Sequence, residues 1–205
     1  MAFVSELFDE LRDLLNDAAD AQVPFATKKL FLNNGIRRMF PHVYRVVTDS
    51  TLAIVAATYD YAIPATLGDG FVISVELETS NASGVFQRLN GYDVIVGDED
   101  LQSILRIERL LPEVGSKIRV RAVRPIPVIV AAAYAASQSE VWTGPDEAIH
   151  LPALYAMGMC AIRKLDDRQD TTRYSTTQAL NGVTDQDIMT ASQVWFSQFE
   201  AELAE

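Results

Sequence analysis

Two histidines, one cysteine and one dense acidic turn are the residues of this chain whose types most readily do chemistry. A zinc site needs three or four Cys, His or carboxylate ligands at set spacings. His42 follows Pro41 and His150 lies two residues before Pro152, far apart in sequence, and neither has a ligand partner at such a spacing. Asp98-Glu99-Asp100 brings three carboxylates together. It lacks the alternating oxygen ligands and central glycine of a calcium loop, so it reads as a solvated turn. Cys160 lies in the most apolar stretch of the chain, where a thiolate is disfavoured, and reads as core. No Gly-x-Ser-x-Gly elbow, phosphate-binding glycine loop or dinucleotide fingerprint is present. The 28 acidic residues allow many carboxylate pairs, and nothing selects one for acid–base work. The expectation is a protein without catalytic residues, metal or cofactor.

The basic residues are ordered differently. Lys117, Arg119 and Arg121 alternate with Ile118, Val120 and Ala122, and Arg124 follows. On a strand, this puts a cationic row on one face and an apolar row on the other. The row reads either as a solvated outer face or as a surface that meets an acidic partner. Another copy of this chain would fit as that partner, because the formal net charge is −11. Such a contact is heterologous and permits a closed ring. Trp142, in a polar Ser-Gln-Ser-Glu-Val-Trp-Thr-Gly-Pro stretch, is a candidate interface anchor. Trp195 and Phe199 fall on the stripe of the last helix, which reads as core or as a groove-docking face.

The elements that must carry these residues follow from periodicity. Phe3, Leu7, Leu11, Leu14, Leu15, Ala18 and Ala19 make one helical stripe. Thr27 suits the N-cap of a second helix with Leu32, Ile36, Met39 and Phe40 on its apolar face, stopped by Pro41. The period then shortens. Val43 to Val47, Leu52 to Tyr61, Phe71 to Glu78, Tyr92 to Val96, Ile104 to Leu110 and Lys117 to Arg124 read as about six strands joined by tight turns. Gly68-Asp69-Gly70, Asn90-Gly91 and Gly97-Asp98-Glu99-Asp100 mark such turns. After Pro125-Ile126-Pro127, the apolar run Ala131 to Ala136 suits a helix start. A long apolar helix is expected from Pro145 to about Leu165, with Thr143 or Gly144 as its cap. Asp166 to Gly182 reads as a loop. Thr184 and Asp187 resemble a capping box before a last helix bearing Ile188, Ala191, Trp195, Phe199 and Leu203. The fold class expected is α+β: a helical domain from 1–42 and 126–205, with an antiparallel sheet or small sandwich inserted at 43–125.

Composition excludes several classes. With 49% hydrophobic residues, the chain can build a core. The acidic balance disfavours a nucleic-acid grip, which depends on clustered Lys and Arg, and also an anionic-membrane binder. The longest apolar run is shorter than a membrane span. The N-terminus lacks the basic n-region of a signal peptide, so none is expected. A single cysteine allows no internal disulfide, and a reducing interior is the expected site of synthesis.

The order of elements, with Tyr59-Asp60-Tyr61-Ala62-Ile63-Pro64 and the Leu-Pro-x-x-Gly-x-x-Ile-x-Val run from Leu111 to Val120, resembles the head-to-tail adaptor (connector) proteins of tailed bacteriophages. The resemblance covers most of the chain as a pattern of elements, and its motifs are short. It implies a virion structural protein of the neck, made in the host cytoplasm. Such proteins form a ring, typically of twelve subunits, beneath the portal. They extend the DNA channel without gripping the genome, and they receive tail or neck proteins. The terminal segment commonly reaches into the portal, and 166–205 is the matching stretch. The family has no catalytic residues to carry over. A tail-terminator or tail-completion ring is the neighbouring reading, and an acidic DNA mimic is the reading from another class.

Overall fold

The structure, a computed structural model, describes residues 2–17, 19–20, 22–67, 71–79, 84–96, 103–108, 114–172 and 185–204, and only the backbone of 164–172, 185 and 187. The chain is α+β and divides into two compact units, 1–44 with 125–205 and 45–124. The expected turns at 68–70 and 97–100 and the Thr184–Asp187 capping box lie outside what is described.

The helical unit opens with α1 (Val4–Leu15) and α2 (Phe25–Met39). Val4, Leu7, Phe8 and Leu11 of α1 are buried. Phe3 and Leu14, expected on that stripe, are exposed. Phe8 replaces them because positions 4, 7, 8 and 11 centre the stripe on a narrower arc. Asn16 ends α1 in the left-handed conformation. α2 begins two residues before the expected Thr27 cap, because Pro24 presets the entry and its carbonyl accepts from Thr27 and Lys28 N–H. It ends before a cis Phe40–Pro41 bond.

The apolar run after Pro127 forms only the single turn α3 (Tyr134–Ser137). Residues 129–131 take no regular structure and are held by side chains. Asn33 accepts from Ile129 N–H (2.7 Å) and donates to its carbonyl (3.2 Å). Glu140 accepts from Val130 and Ala131 N–H, and Lys29 donates to both their carbonyls. The long helix does not start at Pro145. A 3-10 turn (Asp146–Ala148) intervenes, and α4 runs Leu151–Thr172. Pro152 has no N–H to continue a helix from 148 and is tolerated only in a first turn. α4 also runs seven residues past Leu165, into the stretch expected as a loop.

α4 is the centre of this unit. Gly35 of α2 allows close approach to Pro152 and Tyr155; a Cβ there would stand 3.0 Å from Pro152 Cα. Gly158 faces the Phe196 ring of α5 (Asp185–Leu203), and Tyr155 meets Phe196 and Phe199 at centroid distances of 5.3 and 5.4 Å. Ser192, Trp195, Phe196, Phe199 and Leu203 of α5 turn inward, whereas Ala191 is exposed. A real 3.6-residue period places 192 rather than 191 on the line through 195 and 199.

The β unit holds two antiparallel sheets sharing one apolar core. Its strands are β1 (Arg45–Ala53), β2 (Asp60–Ala62), β3 (Phe71–Glu78), β4 (Phe86–Arg88), β5 (Tyr92–Ile95), β6 (Ile104–Ile107) and β7 (Lys117–Arg124). The orders are β1-β7-β3-β4 and β2-β6-β5. β1 runs through Thr48–Thr51, where two strands separated by a polar gap were expected. A bulge after Asp49 absorbs the irregularity, and the Asp49 carboxylate takes the Thr51 N–H at 2.8 Å. β4 was not expected; three residues give too short a period to register. Gly91, at φ +83°, turns the chain between strands of different sheets rather than closing a hairpin.

Candidate interaction surface

β7 is flanked by β1 and β3 in the four-stranded sheet, so its two faces meet different surroundings. Ile118, Val120 and Ala122 are buried in the core with Val75 and Leu105. Lys117, Arg119 and Arg121 lie on the opposite, outer face. Register sets their neighbours: Glu76 of β3 stands opposite Arg119, Arg88 of β4 stands opposite Glu76, and Val46 and Phe71 flank Val123.

The row is partly neutralised from within. Arg119 donates to Glu76 Oε2 at 3.1 Å and stacks over the Phe86 ring, 3.5 Å from its centroid. Arg121 Nε is buried without a hydrogen-bond partner among the described residues and lies 3.5 Å from Glu76 Oε1. Lys117 is exposed, and its backbone N–H goes to the buried Glu78 carboxylate. Arg124, one residue off the alternation, leaves the row and donates to the Thr66 carbonyl at 3.0 Å. Four cations and two carboxylates thus share this face among the described residues. Val46 (53% exposed) and Phe71 (67% exposed) form an apolar end beside Arg121.

Two carboxyls elsewhere in the β unit are held below their usual range. Hydrogen bonds from Arg106 pull Asp60 below the usual range. Burial opposes ionisation of Asp49, but Thr51 and Thr66 outweigh it.

The aromatic candidates belong to the helical unit. Trp142 is 5% exposed, in the helical core, and its indole N–H donates to the Pro145 carbonyl. It is not available as a surface anchor. The polar letters around it reflect its loop, while the ring turns inward against Ile126 and Gly144. Phe199 is buried and Trp195 half-buried, both against α4.

Sequence reasoning missed Glu76, Phe86 and Arg88, whose signal was alternation on β3 and β4 once register is known. It also missed an ionic cluster joining the end of α1 to α2. Lys28, fully buried, contacts Asp17 and Asp20, while Arg12 forks onto Asp20. In addition, His150 contacts Glu202, tying the start of α4 to the end of α5.

For chemistry, the described residues offer little. No group of three or more His, Cys, Asp or Glu is placed to hold a metal among them, and no described helix is long and apolar enough to cross a membrane. Cys160 is buried in α4. The chain matches no protein-family model and no curated protein.

Proposed function

We propose that this protein is a structural ring component of a bacteriophage neck, an adaptor between portal and tail that extends the DNA channel and turns over no substrate. The observation that carries this reading is the division of charge between two separately cored units. The helical unit has nine basic and seventeen acidic residues, and the β unit eight and eleven. A chain built this way presents two distinct contact bodies, and its outer sheet face offers cations in an otherwise acidic molecule. Ring subunits need two different, complementary surfaces. The helix–sheet–helix order that resembles head-to-tail adaptors supports the same reading. An acidic ring around passing DNA repels phosphate at short range, with a screening length of about 8 Å at physiological salt.

Mass photometry and negative-stain imaging of the purified chain, alone and mixed with the portal protein of the same genome, test this. Rings on the portal are expected. A chain that stays monomeric and ignores the portal overturns the proposal, and rings that form on tail tubes instead favour the tail-terminator reading.

A further inference from the structure

We infer that the outer face of the β1-β7-β3-β4 sheet docks on the acidic face of α1 in a second copy of this chain. The inference rests on the ring reading and names its subunit contact.

Glu6, Asp9 and Asp13 are exposed and lie at i, i+3 and i+7, on one face of α1. Leu14, 40% exposed, stands just beyond Asp13. The sheet carries the complementary arrangement. Lys117 and Arg121 share its outer face with Arg88, and the exposed Val46 and Phe71 lie just beyond Arg121.

The spacings agree. Glu6 to Asp13 covers roughly 10 Å along a helix. Lys117 to Arg121 covers roughly 14 Å along a strand, and the long basic side chains absorb the difference. In this register Leu14 meets the Val46–Phe71 end, Asp13 meets Arg121, and Glu6 meets Lys117 and Arg88. The Arg121 side chain is 42% exposed and reaches Glu76 only at 3.5 Å, so its guanidinium can take an incoming carboxylate as well. The contact joins the β unit of one copy to the helical unit of the next, so the first keeps its helix face unused and the second its sheet face. Repetition therefore closes a ring or extends a filament.

A charge exchange tests the pairing. Chain one carries Lys117→Glu and Arg88→Glu, and chain two carries Glu6→Lys. Circular dichroism and thermal melting check that each folds. Assembly is read by native mass spectrometry. Each variant alone is expected to assemble at least tenfold more weakly than the parent, and an equimolar mixture is expected to recover assembly with alternating chains. The milder pair Lys117→Gln and Arg88→Gln, which avoids new repulsion near Glu76, is expected to weaken assembly in the same direction. A parent that assembles, with folded variants that assemble equally well or a mixture that fails to recover, overturns the docking while leaving the ring reading in place. A parent that never assembles, with or without portal, overturns both.

Discussion

The Lys28 ammonium lies 3.0 Å from the Asp17 carboxylate, both side chains almost fully withdrawn from water. Asp17 in turn accepts the backbone N–H groups of Gln22 and Val23, and Asp20 takes the other side of Lys28 at 2.7 Å. One side chain of α2 therefore organises the whole turn that follows α1. Replacing Lys28 with Met takes the cation from the buried Asp17 carboxylate, while Arg12 still holds Asp20. Removing one partner of a buried pair is strongly destabilising, so Lys28→Met is expected to cost about 3 kcal/mol. Urea unfolding followed by circular dichroism checks this. A double variant, Lys28→Met with Asp17→Asn, leaves the Arg12–Asp20 fork in place and is expected to recover part of the loss.

The same cluster sets an acid limit. Burial opposes ionisation of Asp17, but the Val23 and Gln22 N–H groups and Lys28 outweigh it and hold the carboxyl well below its usual range. The Arg12 fork does the same for Asp20, and the hydrogen bond to His150 for Glu202. A carboxyl depressed in the folded state contributes stability that is full above its unfolded value, near 4, and is lost as pH falls through the folded value. Glu10 runs the other way: burial raises it, partly countered by His150. With Asp49 and Asp60, five depressed carboxyls outweigh one raised group, so thermal midpoints measured from pH 7 to pH 2 are expected to hold to about pH 4 and then fall steadily. A midpoint that rises on acidification contradicts this account.

The two tryptophans are expected to report different surroundings. Trp142 is buried and Trp195 half-buried. With Trp195→Phe, the remaining emission should be blue-shifted and poorly quenched by acrylamide. With Trp142→Phe, it should be redder and more readily quenched. Trp142→Ala removes a core ring and is expected to cost about 3–5 kcal/mol in chemical denaturation.

Gly158 of α4 lies against the Phe196 ring of α5. A Cβ there would stand 2.7 Å from the Phe196 ring, so Gly158→Ala forces that ring aside. The ring belongs to a side chain rather than backbone, so α5 is expected to loosen while the rest of the helical unit stays folded. Limited proteolysis should cut within or before α5 several-fold faster in Gly158→Ala than in the parent. Equal cutting rates would show that the ring repacks without loosening the helix.

Local chemistry determined much of this protein. The 3.6-residue stripes of α1, α2 and α5, the two-residue alternation of β3 and β7, and the change of period near residue 44 are consequences of side-chain order alone. They yield an α+β chain with helices at both ends, and they put Lys117, Arg119 and Arg121 on one face. Tertiary structure decided what those residues meet. Glu76 faces Arg119 because β3 pairs with β7 across more than forty positions, a register that no local pattern encodes. Arg124 is off the row by alternation alone, but its partner, the Thr66 carbonyl, comes from a distant segment. Trp142 turns inward although its neighbours are polar, because the core supplies an apolar wall and the Pro145 carbonyl supplies an acceptor. Lys28 looks like any surface lysine until the turn brings two aspartates around it. Periodicity reads which way a residue points; burial and partnership come from segments far apart in the chain, and only the folded arrangement of those segments sets them.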